Sequence, residues 1–423
     1  MTIASLTVCM DRRTFSSVAT CSVPDSREES SWLPYTITVS KMSATDFDMI
    51  VVGAGIIGTC TAYHAQKAGL KTLLVEQFSL GHGNGSSAGK SRIIRYAHTE
   101  PQYLPLVHEA YKQIAEMEKK RGEKLWIKTG LLWMGKSHEI DDVARILNDF
   151  KCENEVLSAA EVSRRYPQFS YGNEYKGLVD PMGGVILADK WISTYQDEFL
   201  KAGGTVYDNT IVKSYEDGDI VRLQTSKGPI TSNKAVFAVG TWVNKLIPNL
   251  PIKCDNQHIT VAYWSPKDKK DTHLTMTDKY PCVVVNTEGI GYYSLPSVDY
   301  PGVVKYAYHE GERYEVGNDL VNPSMKYVDR TREHLKAHVP FLEAERGPWR
   351  VDKCKYAMSP DENYIIDRVP GSKNILVCGY MSGTGFKNGP SIGLALTQIS
   401  KGEKPCVDLT PFGLHRFAKK SKL

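Results

Sequence analysis

The chain has 423 residues, 41% of them hydrophobic and 24% charged, with a formal net charge of +4. That length exceeds what one hydrophobic core usually organises, so two domains are expected. The charge is too small and its lysines too scattered for a nucleic-acid surface, and no apolar run is long enough to span a bilayer. The nine cysteines show no CxxC or CxxxC spacing, so they read as reduced thiols rather than a disulfide framework or a metal site.

Residues 1–45 are polar and serine-rich, and Asp11, Asp25, Glu28 and Glu29 interrupt any targeting pattern; a disordered extension is expected. The first organised stretch is Asp48 to Glu76. Met49 to Val52 is a short β-branched run that ends in glycine, and a run with helical spacing follows, closing on Lys67-Ala68-Gly69. That order predicts strand, tight turn and helix. Gly53, Gly55 and Gly58 spell GxGxxG. The first permits the turn, the second lets the backbone approach a pyrophosphate, and the third lets helix and strand pack closely. Ala54, Ile56 and Ile57 complete the turn and aim the helix N-terminus at the phosphates. A second strand, Thr72 to Val75, ends in Glu76, placed to accept hydrogen bonds from a ribose diol.

Gly81 to Gly89 holds too many glycines and serines, Ser86 and Ser87 among them, for regular structure; it is expected to be a loop beside the bound dinucleotide. SRIIRYAH puts Arg92 and Arg95 three apart. If that piece is helical, both lie on one face and suggest a bound anion; a solvated basic face is the alternative. Leu106, Ala110, Ile114 and Met117 form the stripe of a helix closing on Lys119, Lys120 and Arg121. Leu125 to Met134 reads as a strand broken at Gly130, and Ser158 with Glu161 forms a capping box. From Trp191 a helix, the strand Thr205 to Tyr207, a hairpin near Ile220 to Thr225, and a buried strand from Lys234 toward Gly240 and Trp242 return to the opening theme. Strands dominate from His258 to His309; Ile375 to Gly379 then runs into Gly383-Thr384-Gly385-Phe386-Lys387 and a helix through Ile392, Leu396 and Ile399. A nucleotide domain is therefore expected from 46–124, 181–250 and 350–402, and a second domain from 125–180 and 251–349. Residues 403–423 form a tail ending in Ser421-Lys422-Leu423, a sequence read by the peroxisomal import receptor.

VVGAGIIG, SRIIRYAH, GYYSLPS, VKYAYH, CKYAMSPDENYIID and SGTGFK follow the order of the monomeric sarcosine oxidase and pipecolate oxidase family, which the chain resembles from about Asp46 onward. The resemblance implies an α/β plus α+β architecture: a Rossmann-like FAD domain of the glutathione-reductase type and a mixed-sheet substrate domain. It implies oxidation of a secondary amino acid by oxygen to an imine and hydrogen peroxide, in a monomer that binds neither metal, membrane nor nucleic acid. Two rivals are a dehydrogenase passing electrons to another acceptor and a non-catalytic flavin-binding protein.

By the same resemblance, Cys354 carries FAD covalently, and Gln77, Ser91, Arg92 and Val212 join the cofactor set with the SGTGFK turn. Arg95 grips the substrate carboxylate, helped by Lys387, which also faces the flavin. Tyr293 and Tyr356 line the amine pocket, His309 orients substrate, and Lys305 activates oxygen. One position departs: Thr384 stands where the family has histidine.

Overall fold

The structure is a computed structural model, described for residues 47–287, 289–318 and 322–418. The expectations for residues 1–45 and for Ser421, Lys422 and Leu423 lie outside the described residues. An eight-stranded sheet is built on β1 (Phe47–Val52). The helix α1 (Ile56–Lys67) leads from β1 to β2 (Thr72–Val75), its parallel neighbour. Thr205–Tyr207 lies parallel beyond β2. Gly228–Phe237 and Ile375–Gly379 extend the parallel set on the other side of β1. Met49 and Val51 enter one hydrophobic cluster with Ile57, Trp191 and Leu396, while Ile50 and Val52 enter another with Leu223 and Val377. Both faces are covered, which is why the strand reads as an unbroken apolar run rather than an alternation.

Two glycines make the β1–α1 turn possible. Gly53 has φ +100°, and a Cβ there would lie 2.4 Å from the Ala238 carbonyl oxygen. At Gly58 a Cβ would lie 1.8 Å from the Gly53 carbonyl oxygen. Gly58→Ala is therefore expected to destabilise the protein by about 3 kcal/mol or more, because neither main chain can retreat. Chemical denaturation of variant and parent checks this; an unchanged midpoint would contradict it.

A nine-stranded sheet runs in the order Glu155–Ser158, Tyr175–Asp180, Leu131–Lys136, Cys282–Thr287, Ile290–Leu295, Val304–Tyr308 and Asp255–Trp264, with Glu312–Arg313 and Arg350–Met358 both paired to the last. The boundary expected at residue 350 therefore does not fall at a change of sheet. Arg350–Met358 pairs along its whole length with Asp255–Trp264, and the chain reaches the parallel sheet only at Ile365–Arg368 and Ile375–Gly379.

A small third sheet joins β3 (Ser91–Ile94), Gly184–Leu187 and Trp126–Lys128. The helix considered for SRIIRYAH is thus a strand. Four residues bonded to Gly184–Leu187 gain a ladder that a single unsupported helical turn lacks. The Ser158 capping box is present, and each of the seven described cysteines is a free thiol.

Candidate active site

A cavity of about 730 Å³ opens where the parallel strands end, with Val52, Val75, Ala238 and Gly379 on its wall. That is the crevice in which open parallel sheets bind ligands. The turn from Gly53 to Ile57 lines it, as do Glu76, Gln77, Ser86 and Ser87. Arg92, Val212 and Trp242 form further wall, and Gly383, Gly385 and Phe386 meet them from the second glycine-rich turn. Gly58, Ser91, Cys354, Thr384 and Lys387 lie off that wall.

At the α1 N-terminus the Ile56 amide donates to Ser87 Oγ at 3.0 Å. Glu76 accepts from the Ala54 amide at 2.7 Å and the Phe78 amide at 3.0 Å, so it braces the turn as well as facing the cavity. Burial raises its carboxyl, but His82 and these amides outweigh that and hold it below the usual range. Ser86 Oγ and Thr241 Oγ1 are buried on the wall without a hydrogen-bond partner among the described residues.

Arg92 and Arg95 do not share a face. Arg92 donates to the carbonyls of Ser91 at 2.8 Å and Ser86 at 3.0 Å, lies 3.8 Å from Cys354 Sγ, and stands over the Phe386 ring at 5.5 Å. It clamps the serine loop against the strand carrying Cys354. Arg95 lies over the Trp133 ring at 4.5 Å and donates to the Ala97 carbonyl. Burial brings its guanidinium down to about 10 against the opposing pull of Asp180. Asp180 is itself occupied, accepting the amides of Tyr96 at 2.6 Å, Ala97 at 3.0 Å and Met182 at 2.9 Å.

Lys387 is 4% exposed and donates to the Thr384 carbonyl at 2.7 Å. Burial, and then Arg95, push its amine well below the usual range. Among the described residues, neither Arg95 nor Lys387 has a carboxylate within ion-pair distance. Burial and these same two cations bring the His309 imidazole down to about 4, so it is neutral at pH 7. His309 Nδ1 lies 3.2 Å from the Tyr356 hydroxyl, and the Tyr293 ring meets the His309 ring edge-on with centroids 6.1 Å apart.

The second glycine-rich turn packs directly on this pair. Gly383 has φ +73°, and a Cβ there would lie 2.6 Å from both His309 and Tyr356. Tyr380 (φ 52°) and Ser382 (φ 43°) adopt left-handed conformations without being glycine, which costs of order 1–3 kcal/mol each. Hydrogen bonds from the Ser382 amide to the Ala357 carbonyl at 3.0 Å and from the Tyr380 hydroxyl to Asn244 at 3.1 Å hold the strained turn. The Thr384 hydroxyl lies 2.9 Å from that of Tyr364. Lys305 sits apart from the cavity wall, paired with Asp299 at 2.6 Å and 3.4 Å from the Ser91 carbonyl.

Residues 48–399 match the family described as FAD dependent oxidoreductase. The chain belongs to that family. It is 46% identical to a putative sarcosine oxidase of Caenorhabditis elegans, over 90% of this chain and 100% of the relative. It is 34% identical to the peroxisomal sarcosine oxidase of Mus musculus, over 89% of this chain and 98% of the relative. Among solved structures it shares the fold of NikD, an unusual amino acid oxidase essential for nikkomycin biosynthesis, with TM-score 0.74 and 20% identity over 87% of this chain and 97% of that one.

The cavity of this FAD-dependent oxidoreductase fits the cofactor. The glycine turn would receive the pyrophosphate, and the unpartnered Ser86 and Thr241 hydroxyls and the cationic Lys213 and Lys245 lie on the same wall. Four charged or titratable residues escaped sequence reasoning. Lys355, on the wall and 5.3 Å over the Trp242 ring, is next to Cys354 in the chain. His98, 4% exposed and subject to both Arg95 and Lys387, sits inside the SRIIRYAH motif. Asp180 ends the strand Tyr175–Asp180 and Asp299 lies in a bend, and the sequence at neither gives a sign of distant partners.

Proposed function

We propose that this oxidoreductase converts a secondary amino acid such as sarcosine or L-pipecolate to its imine, with FAD as the immediate oxidant and dioxygen as the final one. The observation that carries the reading is the pair Arg95 and Lys387: a buried guanidinium and a buried amine, neither with a carboxylate within ion-pair distance among the described residues, set against the neutral His309 and Tyr356. A substrate carboxylate would supply the missing charge. Arg95 would take it with a planar fork held in place by the Ala97 carbonyl and Trp133, and Lys387 would add a point charge. The same positive field favours the neutral amine over the ammonium, leaving the nitrogen lone pair available. His309 and Tyr356 offer the amine a neutral hydrogen-bonding pair. Tyr293, edge-on to the His309 ring, would line the same pocket.

When bound, FAD supplies the two-electron chemistry: two electrons and two protons leave the substrate as it becomes the imine and end on dioxygen as hydrogen peroxide. Lys305, a buried cation, would stabilise negative charge developing on oxygen. Cys354, on the strand facing the Arg92 clamp, would tether the cofactor through sulfur. Cys354→Ser should therefore release the yellow colour on acid precipitation, whereas colour remaining in the precipitate would place the attachment elsewhere. The name of the mouse relative and the Ser421-Lys422-Leu423 tail support a peroxisomal address read by the import receptor. A panel of secondary and primary amino acids scored aerobically for peroxide tests the activity. Failure of every secondary amine would overturn it.

A further inference from the structure

Lys305 and Asp299 are 7% and 4% exposed at their side chains and 2.6 Å apart. The same Asp299 oxygen accepts the Tyr263 hydroxyl at 2.7 Å, while Lys305 Nζ reaches Ser91 Oγ at 2.5 Å. A lysine buried this deeply does not keep its proton unaided, since the low-dielectric surroundings favour the neutral amine. Burial is the leading influence on Lys305 and lowers it; Asp299 opposes that and Arg92 adds to it. For Asp299, burial raises the carboxyl, but Lys305, Ser91 and Tyr263 outweigh it and leave it below the usual range. The other titratable groups facing Lys305 are Tyr263, whose ring is 5.6 Å away, Cys354 and Cys282.

We propose that Asp299 is a positioning residue for oxygen reduction: its carboxylate keeps the buried Lys305 amine an ammonium and fixes it beside Ser91 and the Arg92 clamp. The assignment rests on Lys305 being the oxygen-activating cation, as read above. Asp299 touches neither substrate nor cofactor in this role. It acts through the charge and position of Lys305, and Tyr263 holds it from behind. A purely structural ion pair would affect stability alone; a charge-setting partner makes the oxygen reaction depend on pH through one lysine.

The test follows reoxidation by oxygen of the substrate-reduced holoenzyme from pH 6 to pH 10, in the parent and in Asp299→Asn, Asp299→Glu and Lys305→Met. Asp299→Asn is expected to move the alkaline fall in reoxidation rate about 1–3 pH units toward acid, the shift expected for losing a neighbouring opposite charge. Reoxidation in that variant should recover as the pH is lowered, and Asp299→Glu should restore the parental profile. Lys305→Met should be slow at every pH. Melting temperatures of the same holoenzymes give a readout apart from turnover. In Asp299→Asn the folded-state pKa of the lone Lys305 is depressed, so the folded state binds fewer protons than the unfolded chain and stability rises with pH. The melting deficit should therefore narrow between pH 7 and pH 10. A fall in reoxidation that does not move in Asp299→Asn, with Lys305→Met slow, overturns the role of Asp299 alone. A Lys305→Met enzyme that reoxidises at the parental rate overturns the reading of Lys305, and this proposal with it.

Discussion

Replacing Arg95 with alanine is expected to lower kcat/KM for a secondary amino acid roughly 30- to 5,000-fold. That is the rate equivalent of the roughly 2–5 kcal/mol lost when one partner of a buried, hydrogen-bonded charge pair is removed. The size of the effect follows from how the guanidinium is held before substrate arrives. Trp133 supports one face at 4.5 Å, and the Ala97 carbonyl takes one donor. Asp180 uses its oxygens on the amides of Tyr96, Ala97 and Met182, so it acts on the arginine through its field without forming an ion pair that a substrate carboxylate would have to displace. Lys387 remains in the variant, but its amine is tied to the Thr384 carbonyl, is pushed toward the neutral form by burial, and has no fork. Arg95→Lys should therefore recover only part of the loss. Steady-state kinetics at saturating oxygen check both variants, and an alanine enzyme within threefold of the parent would remove Arg95 from the substrate site.

Lys305→Met should slow reoxidation by oxygen roughly 100- to 1,000-fold, the range seen when one preorganised donor to a developing negative charge is deleted. Anaerobic reduction by substrate should change far less, because Arg95, Lys387, His309 and Tyr356 are untouched. Methionine fills much of the lysine volume, so cavity formation is a small part of the effect. It does leave Asp299 buried without its cation. The Tyr263 hydroxyl at 2.7 Å still donates to that carboxylate, but a buried charge left without its partner costs about 3–5 kcal/mol, so a clear loss of stability is expected as well. Stopped-flow measurement of the two half-reactions separates the roles. Equal slowing of both would contradict the assignment.

Features set by local backbone chemistry were legible in the sequence. Gly53 and Gly58 mark a turn because a side chain at either would strike main chain a few ångströms away, and Ser158 with Glu161 marks a helix start within one turn. β3 was harder to read. Ser91–Ile94 is too short to show a period, and its state is decided by Gly184–Leu187, some ninety positions later in the chain. The shared face that a helix would give Arg92 and Arg95 is therefore absent. Arg92 is a clamp on carbonyls, and Arg95 faces Trp133. Cys354, His309 and Lys387 could be singled out only because of motif resemblance; nothing in their own spacing distinguishes them. Asp299 carried no signal at all, since its meaning lies in a lysine on a neighbouring strand and a tyrosine from Asp255–Trp264. Arg350–Met358 joins Asp255–Trp264 for a related reason, since a strand's partners are chosen by packing and not by its place in the chain.

The most direct measurement is a visible spectrum of the purified protein under strict exclusion of oxygen, before and after addition of sarcosine or L-pipecolate. The account predicts a flavin absorption band that bleaches with substrate and returns on admitting air, with one hydrogen peroxide formed for each flavin reoxidised. A protein without flavin, or a flavin band that no secondary amino acid bleaches, would contradict it.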